Sequence, residues 1–434
     1  MTAEYAPAML SRLRVPALLV AFALALAGCS SGEGGGASES VTTTTGAAPT
    51  ATQARTPPPD PEFTPIVGAV VFAPIPFAGS DDRNHLVYEL SLTNYTGAPV
   101  TVTGVRVVDP DSDEPIATFD EAAVASRLKP TGTPTAGTAP GAPPGYSNVL
   151  AGGQNGMLFL HVVLDPDDPI PATIAHDLDM RADAAPPGFN ELTERRIAES
   201  RVDERTLPVL GPPLRGTNYI AADACCDAVR HTRAVLPIDG QPYLAQRYAV
   251  DWEQADDSGH IYVGDAADPD SYLIFGDDVL AVADGTVVQS RNDLAEQTPG
   301  RYPEGLPLAD ADGNNLVLDI GDGFYVNYAH MQPDSVLFGP GDTVRKGDVI
   351  GKVGNTGNSV APHLHVHVMD GPSFLAAQGL PSLTESFTVT DRVASTADFD
   401  AAEGQGVPLV MVPGVTPAEH RDQMVLDQYV VTFE

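Results

Sequence analysis

The chain has 434 residues, enough for two domains with cores of their own. A net charge of -35 excludes a nucleic-acid partner, whose phosphates it would repel. With 41 Gly, 40 Pro and only 6% aromatic residues, the composition favours short strands and turns over long helices.

In chain order, Arg12 and Arg14 precede an apolar run from Val15 to Ala27. That run is shorter than the roughly 20 residues a bilayer span needs. It ends in Leu26-Ala27-Gly28-Cys29, small residues directly before a cysteine. Residues 1–28 therefore read as a bacterial lipoprotein signal peptide, with Cys29 the residue that takes the lipid. The expectation is an exported protein held on the outer face of the cell membrane, in the cell envelope. Residues 29–62 are mostly Gly, Ser, Thr, Ala and Pro, cannot bury a core, and read as a disordered tether.

From 63 to 190 the runs VGAVVFAPIPF, HLVYELSLTN, PVTVTGVRVV and GMLFLHVVLD are β-branched and separated by turn residues. They predict a β-sandwich that resembles an immunoglobulin-like module. His85, His161 and His176 in it read as structural. Residues 191–206, rich in Glu and Arg, are the most helix-like stretch and predict a helical linker. A second all-β pattern runs from 207 to 372, with hairpin turns at Asp284-Gly285 and Gly321-Asp322-Gly323. The remainder, 373–434, reads as a C-terminal extension whose Gln428–Phe433 forms a last strand. The fold class expected is all-β throughout.

Cys225 and Cys226 are adjacent. Neighbouring Cα atoms sit about 3.8 Å apart, closer than a relaxed disulfide prefers. A vicinal disulfide, two free thiols and a metal-ligand role all stay open.

Chemistry concentrates in Pro362-His-Leu-His-Val-His367. In a strand His363, His365 and His367 share one face, and imidazoles in a row point to metal binding or proton transfer. Upstream lie Tyr328-Ala-His330-Met, then Gly341-Asp-x-Val-x-x-Gly347-x-x-Ile-Gly351, then Gly354-Asn-Thr-Gly-Asn-Ser359. In this order and spacing, from Val279 through His365, the residues resemble the lysostaphin/LytM-type zinc metalloendopeptidases. The resemblance implies a β-sheet groove of the duplicated hybrid motif and cleavage of peptide bonds in peptidoglycan. It implies one Zn(2+), held by a His and an Asp in His-x-x-x-Asp and by the second His of His-x-His. Carried over, Asp251 and His365 are metal ligands, and His330 and His363 are the catalytic pair.

One position departs from the pattern: four residues before Asp251, where His belongs, stands Arg247. A guanidinium has no lone pair to give a metal. Two readings follow. In the first, another side chain completes the site: His367 on the same strand face, His231 folding back from upstream, or either cysteine as a thiolate, with His260 and Gln246 as weaker choices. In the second, Arg247 and Asp251 share a strand face and pair as ions. The domain would then bind peptidoglycan, or regulate a partner wall hydrolase, without cutting. Trp252, the sole tryptophan, reads as core.

Overall fold

A computed structural model describes residues 63–132, 143–185 and 190–434. Cys29, the signal and the tether lie outside the described residues. The first half pairs two antiparallel sheets. One contains β1 (Ile66–Val70), β2 (Asn84–Asn94), β6 (Asn155–Leu164) and β5 (Leu128–Pro130), in that order. The other runs β8 (Glu191–Arg201), β7 (Thr173–Arg181), β3 (Val100–Val108), β4 (Pro115–Phe119). Strand alternation decides what lies between them. Leu86, Tyr88, Leu90 and Leu92 of β2 point inward and meet Val105, Val107 and Leu178 from the facing sheet. His85, Val87 and Glu89 on the opposite face of β2 are buried as well: Val87 packs with Tyr248, Cys225 and Cys226 of the second half. A strand buried on both faces ties the halves together.

The predicted linker helix is corrected. Residues 191–201 form β8, paired with β7 from Glu191↔Arg181 to Arg201↔Thr173. Charged Glu and Arg are locally good helix formers, but Ile197 packs on the sandwich core and Glu194 Oε1 accepts from the Ile66 amide at 2.9 Å. Two register shifts flank Ile197, and Arg196 and Ala198 take φ of 54° and 50°. Such bulges erase the alternation by which a strand is recognised.

His176 of β7 is fully buried, its Nε2 accepting from the Tyr88 hydroxyl at 2.9 Å. Burial pushes its pKa down to about 4, against the opposing pull of the Ile197 and Ala198 carbonyls. The unfolded chain therefore binds a proton that the folded one refuses. This contribution is complete above pH 6.5 and is lost as pH falls toward 4, by about 2–3 kcal/mol. Urea denaturation near pH 7.5 and near pH 4.5 checks it: the acid loss in wild type is expected to exceed that in His176→Phe by this amount.

The second half is built on an 11-stranded sheet. From the edge strand Thr343–Val344 the order is β11 (Gly285–Ser290), β12 (Asn314–Gly321), β13 (Phe324–Met331), β14 (Leu364–Met369), β10 (Val250–Gln254), β9 (Gly216–Ala222), β16 (Tyr429–Phe433), β15 (Phe387–Arg392) and Ala418–His420. The stretch read as a separate C-terminal extension is thus part of this sheet, with β16 between β9 and β15. Trp252 is core, its ring 5.2 Å from Phe433 in a T-shaped contact. Among the described residues there are two α-helices, α1 (Glu121–Arg127) and α2 (Thr396–Gln405). Cys225 and Cys226 are joined as a vicinal disulfide.

Between the halves lies Arg247, 1% exposed. Its Nε and Nη2 donate to Glu89 Oε1 and Oε2 at 2.8 and 2.9 Å, and its Nη1 donates to the Gly379 carbonyl at 2.9 Å. The expected pairing with Asp251 is therefore corrected. Residues 244–249 form turns, with Arg247 and Ala249 amides bonded to Leu244 and Gln246 carbonyls. Strand β10 begins only at Val250, so the alternation that would align residues 247 and 251 does not extend back to Arg247.

Candidate metal centre

Asp251 lies in β10 opposite His365 of β14. Directly paired residues share a face, so carboxylate and imidazole meet: Asp251 Oδ1 accepts from His365 Nδ1 at 2.8 Å. His363 lies two residues before His365, and its Nε2 comes within 3.4 Å of Asp251 Oδ1. His330 sits next to Ala329, the β13 partner of His365. A regular pleat would turn His330 to the opposite face. Its left-handed φ of 62° redirects it, and its ring lies 4.7 Å from that of His363 and 5.8 Å from that of His365.

His231 completes a group of three side chains that could hold a metal ion. It comes from the loop after β9, where its Nδ1 donates to the Asp223 carbonyl at 2.9 Å. Its Nε2 then faces Asp251 Oδ2 at 3.4 Å. Arg230 fixes this loop, donating to Asp223 at 2.5 Å and to Asp400 of α2 at 2.7 Å. Donor atoms of His231, Asp251 and His365 all lie within 4.8 Å of one another. Two imidazoles and a carboxylate are a donor set suited to zinc, with a coordination position left for water or substrate. His367, the other choice for this role, is 1% exposed and stands behind His365: its Nδ1 is 2.9 Å from His365 Nε2. It can orient that ring but does not join Asp251. His260 lies apart, bonded to Ser258.

Electrostatics favour a cation here. Burial alone would raise the Asp251 carboxyl, yet His231, His363 and His365 more than offset it and hold the group far below the usual carboxylate range. Burial pushes His330 well below the usual imidazole range, with His363 and His365 adding to the effect, so its ring stays neutral. The Nδ1 of His330 donates to the Thr356 carbonyl at 2.7 Å, and that of His363 to the Ala361 carbonyl at 2.8 Å. Each ring is thereby oriented through its Nδ1, and the neutral His330 keeps its Nε2 unprotonated. The groups line a cleft of about 760 Å³, together with Asp312, whose carboxyl burial pushes up to about 7.

Sequence reading placed Asp251, His330, His363 and His365 where they meet. It missed Asp312, Glu253 and Glu403 on the cleft wall. Of these only Glu253 had a signal, its i+2 spacing from Asp251.

The lysostaphin/LytM-type resemblance read from the sequence is supported by comparison with known families. Residues 272–375 match the family model Peptidase family M23, so the chain carries a domain of that family. Over 179 residues it is 28% identical to the peptidoglycan DD-endopeptidase ShyA of Vibrio cholerae, a match covering 37% of this chain and 37% of that protein's length. Among solved structures it is similar to the catalytic domain of the prophage-encoded M23 protein EnpA of Enterococcus faecalis. That match has 18% identity, 40% of this chain, 92% of that chain and TM-score 0.23. It is also similar to the catalytic domain of lysostaphin of Staphylococcus simulans, with 22% identity, 38% and 88% coverage and TM-score 0.21.

Proposed function

We propose that this protein is an extracytoplasmic zinc endopeptidase that hydrolyses peptide bonds in peptidoglycan. The observation that carries the reading is the convergence of His231, Asp251 and His365 beside the pair His330 and His363. We assign His231, Asp251 and His365 as the residues that hold zinc. When bound, zinc supplies Lewis acidity toward water and the scissile carbonyl.

The chain's own residues do the rest. His330 and His363, each with Nδ1 tied to a carbonyl, present Nε2 to the cleft. One can take the proton of the attacking water, and the same rings, once protonated, can donate to the developing oxyanion or the leaving amine. His367 keeps the His365 ring in place. The opposing reading, a module that binds peptidoglycan or regulates a wall hydrolase without cutting, drew on Arg247 standing in for a ligand. With Arg247 turned to Glu89, that support is gone. The lipid anchor at Cys29 remains part of the proposal, placing the enzyme on the outer membrane face beside its polymer.

His330→Ala and His363→Ala are each expected to lower hydrolysis by about 10²–10⁴-fold while zinc content stays at the wild-type level. New amino termini released from purified cell walls, with elemental analysis of the same samples, measure both. Unchanged release in the two variants would overturn the assignment.

A further inference from the structure

Away from the cleft, the seam between the two halves holds another cluster of metal-binding side chains. His85 lies near the start of β2, and His161 of β6 stands opposite Val87, two residues further along. Both imidazoles therefore lie on the face of the sandwich sheet that meets the second half. His85 Nδ1 and His161 Nε2 are 2.9 Å apart. From the second half comes Cys226, in one cluster with Phe77, Val87 and Met424. One donor atom each from His85, His161 and Cys226 lie within 4.8 Å of one another.

An independent feature marks His85 as a ligand. Its Nε2 donates to Asp81 Oδ1 at 2.9 Å. That bond leaves Nδ1 of the neutral ring to offer its lone pair toward His161. A carboxylate on the far nitrogen is the arrangement that orients metal-binding imidazoles and raises their basicity. Without an ion, His161 Nε2 donates to His85 Nδ1. An ion between the two nitrogens takes the place of that proton, which His161 then carries on Nδ1. The third donor is withheld by the disulfide, because a sulfur bonded to Cys225 has no thiolate charge to give.

We infer that His85, His161 and Cys226 form a second zinc site, opened when the Cys225–Cys226 bond is reduced. A dithiol passes two electrons and two protons to that bond, leaving two thiols and becoming a disulfide itself. Zinc then displaces the Cys226 thiol proton to solvent and takes the thiolate together with the two imidazoles. None of the three residues stands on the cleft wall, so the site is separate from the proposed catalytic centre and does not depend on it.

The test uses the full chain, with zinc counted by elemental analysis and cobalt(II) as the spectroscopic probe. Cys225→Ser keeps Cys226 as a free thiol without any reductant. It is expected to hold about one zinc per chain more than oxidised wild type. Loaded with cobalt(II), it is expected to show thiolate-to-cobalt absorption in the near ultraviolet, which His231, Asp251 and His365 cannot give. Adding His161→Ala is expected to remove both signals, and adding Asp81→Asn to weaken the extra ion by about 10–100-fold. Wild type reduced with dithiothreitol and desalted under argon is expected to match Cys225→Ser, and replaces it if that variant does not fold. No metal above the wild-type level on freeing Cys226, or thiolate absorption that survives His161→Ala, would overturn the site. Oxidised wild type with no zinc at all would count against the cleft assignment and leave this difference to be read as before.

Discussion

His231→Ala is expected to reduce both bound zinc and wall hydrolysis to background, while Arg247→His is expected to add no zinc. The reason is positional. His231 Nε2 faces Asp251 Oδ2, with its ring 4.9 Å from that of His365, and its other nitrogen is held by the Asp223 carbonyl. Loss of even an outer-shell partner costs a metal site about 10–100-fold in affinity, and loss of one of three direct donors costs more. An imidazole at position 247 would instead lie against Glu89 and Gly379, on the other side of the β10 turn. Elemental analysis of wild type and the two variants decides it. One zinc per chain in His231→Ala, or a gain in Arg247→His, would return the ligand position to residue 247.

The second large effect is on stability. Arg247→Ala is expected to cost about 3–5 kcal/mol, because it strands the Glu89 carboxylate, 0% exposed, without its partner. The guanidinium also bonds Gln378 at 3.3 Å and lies 5.2 Å from the Phe72 ring centroid. The double change Glu89→Gln with Arg247→Met removes both charges and is expected to recover most of the loss, since an ion pair replaced whole is often near neutral. Trp252, the sole tryptophan and buried beside Phe433, reports urea unfolding. A loss below about 1 kcal/mol in Arg247→Ala would mean that water reaches Glu89.

Much of this was legible before any coordinates. Period-two alternation marked the sandwich strands, and the spacing of His363 and His365 marked the metal face, because both are short-range consequences of the pleat. What escaped depended on long-range placement. His231 lies 20 residues before Asp251 in an irregular loop, with no periodicity to align the two. Arg247 misled because strand geometry was extended three residues past the start of β10, into turns. The β8 bulges hid a strand inside a helix-like composition. Glu403 joins the cleft through the packing of Phe399 and Ala402, a contact that no local pattern records.

The place of β16 inside the sheet ties formation of the cleft to the strand that closes it. Residues 430 and 431 pair with β9, and the amides of Asp427 and Gln428 bond the carbonyls of Cys225 and Ala221, at the root of the His231 loop. A nascent chain can therefore lay down every residue of the proposed centre and still lack the strand that shuts the gap beside them. Assembly of the centre has to wait until residue 433 has been synthesised and is free to dock.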